Sequence, residues 1–145
     1  MKRFQYSLQK ILDLRSFQLK QAEIELGKVN SKIAAEKRQL QIIASQKLKV
    51  QGEMDSSHDI STFANGYGYM VFLDQKRDAC EERIALLQIE ADKKKELVRA
   101  AMQKEKVLEK LKEHRKESWK DEMEKEEELV TDDVVTSKYG AASNV

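Results

Sequence analysis

The fold is decided by residues 8–54, which read LQKILDLRSFQLKQAEIELGKVNSKIAAEKRQLQIIASQKLKVQGEM. Alternating steps of four and three residues from Leu8 reach an apolar side chain at every step except Arg15, Glu36 and Lys47. A spacing of about 3.5 residues, kept for about six heptads, predicts a left-handed coiled coil rather than a helix of a globular domain. The first seam therefore consists of Leu8, Leu12, Arg15, Leu19, Ala22, Leu26, Val29, Ile33, Glu36, Leu40, Ile43, Lys47, Val50 and Met54.

A weaker second seam returns along the chain and consists of Leu73, Arg77, Cys80, Ile84, Leu87, Ala91, Lys94, Val98, Ala101, Glu105 and Leu108. Residues 1–54 carry 11 basic and 5 acidic side chains, whereas residues 119–145 carry 3 and 8. An antiparallel pairing brings these opposite charges together. The two seams thus predict an all-α fold, a long antiparallel two-helix coiled-coil hairpin with an overhanging C-terminal helix end.

We expect a single coiled-coil unit over residues 1–145, with the elements in a simple order. The first helix is predicted at residues 3–54, the connecting loop at 55–69, the second helix at 70–130 and a frayed tail at 131–145. The predicted loop has no helical periodicity, and Asn65-Gly66 and Gly68 can take positive φ.

Four apolar side chains in the predicted loop have two interpretations. Ile60, Phe63, Tyr67 and Tyr69 can form an apolar knot over the end of the seam, or they can contact a partner. Phe4 raises the same question at the start of the chain, where an aromatic residue either caps the seam or anchors a partner. The sequence leaves both alternatives open.

The composition argues against an enzyme. The chain has no proline, and 37% of its residues are charged, which is typical of long helices. A two-stranded coil buries only a narrow stripe, so we expect no catalytic cavity. No run of about 18 apolar residues and no cleavable signal pattern occur, which predicts a cytoplasmic protein without direct membrane insertion.

The residues that carry chemistry in other proteins do not form a site in this sequence. His58 and His114 have no second ligand at metal-binding spacing, and Cys80 falls on the second seam, where it is expected to be buried. Lys93, Lys94 and Lys95 spread around nearly a full helical turn beside acidic neighbours, which argues against nucleic-acid binding. We therefore expect no metal, no cofactor and no catalytic residue.

Both ends of the chain resemble one known family. The opening Phe4-Gln-Tyr-Ser-Leu-Gln-Lys-Ile-Leu-Asp-Leu-Arg15 and the returning Lys106-Val-Leu-Glu-Lys-Leu-Lys-Glu-His-Arg115 are similar to the flagellar export protein FliJ. The resemblance implies a cytoplasmic component of the flagellar type III export apparatus, peripheral to the inner membrane at the flagellar base. It implies a coiled coil, similar to the stalk of rotary ATPases, that binds the hexameric ring of the export ATPase FliI and links it to the export gate protein FlhA. Promotion of ATPase assembly or activity and of protein export follows from this role, with export chaperones as further candidate partners.

The resemblance also assigns binding residues by position. Those facing the export gate would be Gln39, Ile43, Gln46, Val50, Phe72, Lys76, Ala79 and Arg83. Those facing the ATPase ring would be Phe4, Leu8, Trp119 and Met123. The alternative function is a generic coiled-coil scaffold or export chaperone that self-associates through its seams.

Overall fold

The computed structural model describes residues 2–143, which form two long helices. Helix α1 spans Gln9–Ser56 and helix α2 spans Ile60–Ser143. The two helices are packed against each other, and no strand occurs within residues 2–143. The predicted all-α helical hairpin is therefore confirmed, with 84 residues in α2 against 48 in α1.

The chain divides into two compact units. One unit is Leu19–Ala100, and the other combines Met1–Gln18 with Ala101–Val145. We call them the central unit and the terminal unit. The prediction of a single unit over residues 1–145 stays a prediction.

The core of the central unit follows the two predicted seams. Val29, Ile33 and Ala91 are buried together, and Leu26 and Leu87 pack against them. Further along the same seams, Leu73 and Cys80 are fully buried. Across both units every predicted seam position is buried or half-buried. Apolar burial along this stripe is the main force that holds the helices together.

A carboxylate beside the seam binds two of the charged side chains that lie on the seams. Lys47 and Arg77 both contact the carboxylate of Asp74, and the nitrogen of Arg77 lies 3.4 Å from its oxygen. The hydrogen bond from Lys47 lowers the pKa of Asp74. The two cations therefore share one anion in the seam of the central unit.

The first helix begins later than predicted, at Gln9, and the residues before it contact α2. Tyr6 is buried, and its hydroxyl donates a hydrogen bond of 3.0 Å to the carbonyl of Leu108. The carbonyl of Tyr6 accepts a hydrogen bond of 3.0 Å from the amide of Gln9. The prediction that residues 3–8 are helical is therefore wrong, and this segment is called the N-terminal segment below (residues 2–8).

The connection between the helices is much shorter than predicted. Only residues 57–59 separate α1 from α2. The carboxylate of Asp59 accepts hydrogen bonds from the amide of Ser61 at 3.0 Å and the hydroxyl of Thr62 at 3.4 Å. Because this N-cap satisfies donors at the helix start, α2 begins at Ile60. The predicted loop is wrong over residues 60–69.

The glycines in this region are helical and do not form a turn. No residue with positive φ occurs in the described part of the chain. A Cβ atom at Gly66 would lie only 2.6 Å from Cγ of Met54 on α1. The physical role of Gly66 is therefore to let Met54 approach the backbone of α2 closely.

The second helix also continues beyond its predicted end. Residues 131–143 are helical, so the prediction of a frayed tail is wrong there, while residues 144–145 lie outside the described range. The hydroxyl of Thr131 donates a hydrogen bond of 2.9 Å to the carbonyl of Glu127. No proline interrupts the helix. Exposed apolar side chains towards the end of this helix include Leu129, Val130, Val134, Val135 and Tyr139.

Of the two interpretations of the apolar residues in the predicted loop, the apolar knot over the end of the seam is wrong. Ile60, Phe63, Tyr67 and Tyr69 all have exposed side chains at the start of α2. The exposure of these four side chains means that they do not cover the end of the seam.

Candidate interaction surfaces

An open groove in the central unit brings together most of the residues assigned to the export gate. Its volume is about 340 Å³, and we call it the mid-helix groove. It is lined by Glu36, Gln39, Ile42, Ile43, Gln46, Lys76, Ala79, Cys80 and Arg83. Six of the eight residues assigned from the resemblance therefore share this one groove.

The remaining two assigned residues lie close by. Val50 lines a neighbouring groove of about 480 Å³ next to the connection, and Gln46 lines both grooves. Phe72 is half exposed, with the ammonium group of Lys76 5.0 Å from its ring centroid. The ring of Tyr69 lies 6.1 Å from that of Phe72. The eight residues thus occupy adjoining parts of the central unit, while their role in binding stays a prediction.

A polar cluster forms one wall of the mid-helix groove. The sulfur of Cys80 lies 3.0 Å from a carboxylate oxygen of Glu36, and Nε of Arg83 lies 3.1 Å from the other oxygen. Hydrogen bonds from Cys80 and then Arg83 hold the pKa of Glu36 below its usual value. Glu36, one of the polar breaks of the first seam, therefore fixes two side chains of α2.

This cluster also determines the chemistry of the cysteine. Burial raises the pKa of the Cys80 thiol, and the neighbouring Glu36 carboxylate raises it further. A thiol with a raised pKa is a poor nucleophile at neutral pH because the thiolate is the reactive form. Cys80 is thus a buried packing residue with a hydrogen bond.

Three residues that line this groove are not among those assigned to the export gate. Glu36 and Cys80 are seam positions, and Ile42 directly precedes the seam residue Ile43. The seam pattern contains a signal for all three. Residues that directly flank or interrupt a seam border the partner helix, where they form the rims of surface grooves.

The residues assigned to the ATPase ring all belong to the terminal unit. The rings of Phe4 and Trp119 lie 5.9 Å apart at an interplanar angle of 54°. Leu8 and Met123 are half-buried. The structure therefore pairs two of the four assigned residues directly, and binding to a ring stays a prediction for all four.

The N-terminal segment is held against α2 by more than this aromatic pair. Arg115 lies over the ring of Tyr6 at 5.7 Å and donates a hydrogen bond of 2.9 Å to the hydroxyl of Ser7. Further along α2, an open groove of about 520 Å³ is lined by Lys2, Met123, Glu126, Glu127, Val130 and Thr131. The terminal unit thus combines an aromatic pair with a strongly acidic helix surface.

The described residues show neither a metal site nor a membrane span. Within residues 2–143, no group of three or more His, Cys, Asp or Glu side chains could hold a metal ion. In the same range, no helix has the length and apolar character to cross a membrane.

Two helices paired along heptad seams, with open grooves on their surfaces, define a coiled-coil protein of the helical-hairpin class. The family described as Flagellar FliJ protein matches residues 4–144, and the chain belongs to this family. No curated protein matches the chain. No solved structure matches it either.

The family match establishes the general role of the chain. It is a component of the flagellar export apparatus and takes part in flagellum biogenesis and type III protein export. The resemblance found in the sequence is thereby confirmed over nearly the whole chain.

Proposed function

We propose that the chain links the export ATPase ring to the export gate, binding FlhA through the central unit and FliI through the terminal unit. In this role it promotes assembly or activity of the ATPase and protein export. We place it in the cytoplasm, peripheral to the inner membrane at the flagellar base. The observation that carries the proposal is the mid-helix groove. Six of the eight residues that the family resemblance assigns to gate binding line this one groove.

The composition of the mid-helix groove supports protein binding. It combines apolar Ile42 and Ile43 with the charged Lys76 and Arg83. Beside it, Phe72 offers an exposed ring, and aromatic residues contribute strongly to the binding energy of interfaces. Nε of Arg83 donates a hydrogen bond to Glu36, which orients the guanidinium group in the wall of the groove.

The gate contact is tested by replacing Phe72 with alanine and measuring affinity for the purified cytoplasmic part of FlhA by calorimetry. We expect Phe72→Ala to weaken binding about tenfold, the effect of losing roughly 1.4 kcal/mol at an aromatic anchor. Ile89→Ala is the matched control, because Ile89 is an apolar residue of the same helix with similar exposure that lies opposite the seam and away from the groove. Equal affinities of both variants and the wild-type chain would overturn the gate assignment.

The terminal unit supplies features suited to the ATPase ring. Beyond Trp119 the sequence has acidic residues at Glu124, Glu126, Glu127 and Glu128, and all four are exposed. An acidic helix surface is complementary to basic loops, and this complementarity increases both the rate and the specificity of association. We infer that this surface meets basic loops inside the ring.

The chain has no active site in this proposal and acts through binding alone. A bound protein shifts an equilibrium between ring states only by the difference of its affinities for those states. The acidic surface around Glu126 and Glu127 would supply that difference by contacting the state in which the basic loops converge.

The ATPase contact is tested by two changes in the terminal unit. Removing residues 119–145 should abolish stimulation of ATP hydrolysis by FliI. Replacing Glu124, Glu126, Glu127 and Glu128 by glutamine should reduce it strongly without changing helix content. The control replaces Glu81 and Glu82, an acidic pair of the central unit, by glutamine. This change should leave the stimulation of ATP hydrolysis unchanged. Full stimulation by the glutamine variant would contradict the role of the acidic surface.

A further inference from the structure

The start of α2 carries an apolar face that the hairpin does not use. Residues 60–73 contain no charged side chain, although 37% of the whole chain is charged. Ile60, Phe63, Tyr67 and Val71 expose 86, 54, 63 and 40% of their surface. Exposed apolar patches of this kind usually mark binding surfaces.

These residues form a second stripe on the helix. Ile60, Ala64, Tyr67 and Val71 follow one another at steps of four, three and four residues, so they lie on one face of α2. We call this face the turn-end stripe, with Phe63 at its margin. At about 100° per residue, it lies roughly 120° around the helix from the half-buried Met70 and the buried seam residue Leu73. The stripe therefore stays exposed when the seam is filled by α1.

The turn-end stripe is also separate from the residues assigned to the export gate. Tyr69, Phe72 and Lys76 lie on the other flank of the seam, about 150° around α2 from the stripe by the same helical spacing. Pairing through the stripe therefore leaves the mid-helix groove free, so this inference does not depend on gate binding.

We propose that the turn-end stripe is the interface between two copies of this chain. Its spacing of four, three and four reads the same in both directions, so it is self-complementary under a two-fold axis. An antiparallel copy places Ile60 against Val71 and Ala64 against Tyr67. Isologous contacts of this type are the commonest way in which identical chains pair. The absence of charge between residues 60 and 73 means that no like charges meet in the contact.

The area of the exposed residues fits a weak dimer. Large side chains bury roughly 150–250 Å² each, so the exposed parts of Ile60, Phe63, Tyr67 and Val71 supply at most about 500 Å² per copy. The total of about 1,000 Å² lies below the size of stable specific interfaces and in the range of weak, transient ones. We therefore expect a dimer with a dissociation constant of about 10–100 µM that exchanges readily with the monomer.

Sedimentation velocity of the full chain over about 1–200 µM, a range that brackets this dissociation constant, provides the first test. The mass should rise from 16.8 kDa towards twice that value as the concentration increases. Tyr67→Glu should weaken the dimer about tenfold or more, because burying two unpaired carboxylates is costly. Leu97→Glu, at an exposed leucine elsewhere on α2, should leave the dimer intact. Helix content from circular dichroism should be equal in all three chains.

A cross-linking experiment identifies the symmetry of the contact. Ala64→Cys should form a covalent dimer with a short bis-maleimide reagent, because two copies of residue 64 lie near the two-fold axis. Leu97→Cys and the wild-type chain, whose only cysteine is buried, should not. A mass that stays at 16.8 kDa at every concentration overturns the proposal. A dimer that survives Tyr67→Glu unchanged also overturns it, because the copies would then pair through another surface.

Discussion

Replacing Ile33 by alanine measures how much of the stability comes from the seam. Ile33 is 6% exposed and packs with Val29 and Ala91 in the central unit. The substitution removes three carbon atoms, which costs about 2.4 kcal/mol at roughly 0.8 kcal/mol for each buried methylene. The cavity left behind adds to this cost, and the better helix propensity of alanine offsets about 0.4 kcal/mol. We therefore expect a loss of about 3 kcal/mol in the free energy of unfolding.

Ile24→Ala is the matched control on the same helix. Ile24 is 44% exposed, so only about half of the transfer free energy is at stake. The change in helix propensity is the same at both positions and cancels in the comparison. The expected loss for Ile24→Ala is about 1 kcal/mol, which leaves a difference of about 2 kcal/mol between the two variants.

Urea unfolding followed by far-ultraviolet circular dichroism measures both losses. The protein concentration should be low, so that self-association does not contribute to the free energy of unfolding. Equal losses of unfolding free energy at Ile33 and Ile24 would contradict the expected difference, because the seam would then be no more buried than the outer face of α1.

Three further predictions concern the connection and the polar cluster. Asp59→Ala should lower the free energy of unfolding by about 1 kcal/mol through loss of the N-cap, and an unchanged urea midpoint would exclude that role. Gly68→Ala should raise the melting temperature, since an added Cβ meets open space and alanine favours a helix. Gly66→Ala should lower the melting temperature, because the new Cβ overlaps Met54. Changes of the same sign in both variants would contradict this packing. The lowered pKa of Glu36 means that its carboxylate stabilises the fold above its ordinary pKa and that this contribution is lost as the pH falls through the lowered value. The melting temperature of Glu36→Gln should therefore fall less than that of the wild-type chain between about pH 5 and pH 3, and parallel curves would dismiss the linkage.

The seams could be predicted because heptad burial depends on spacing alone. Val29, Ile33 and Ala91 occupy seam positions in the sequence and are buried in the structure. The prediction held even at Glu36 and Lys47, since a polar residue on a seam still faces the partner helix. Their partners could not be predicted, because Asp74 and Arg83 lie beside the second seam and not on it.

The bounds of the connection do not follow from local composition. Asn65, Gly66 and Gly68 favour turns in isolation, yet all three are helical. The N-cap at Asp59 starts the helix earlier, and the contact of Gly66 with Met54 extends the pairing of the two helices. Such a close approach of two helices depends on a tertiary contact, which the sequence pattern does not reveal.

The start of the chain was mispredicted for a related reason. The first seam begins at Leu8, and extending a helix backwards from it is the simplest assumption. Tyr6 instead bonds to the carbonyl of Leu108, and Phe4 meets Trp119. These contacts span about a hundred residues of sequence, so only the structure could reveal them. They bring together the aromatic residues that the family resemblance had assigned to the ATPase ring.

A paired binding measurement tests whether this chain binds two partners through separate surfaces. Affinities for FlhA and for the FliI ring are measured for Phe72→Ala and for the variant with glutamine at Glu124, Glu126, Glu127 and Glu128. We expect that Phe72→Ala weakens binding to FlhA alone and that the glutamine variant weakens binding to FliI alone. Loss of both contacts in either variant, at unchanged helix content, would contradict it.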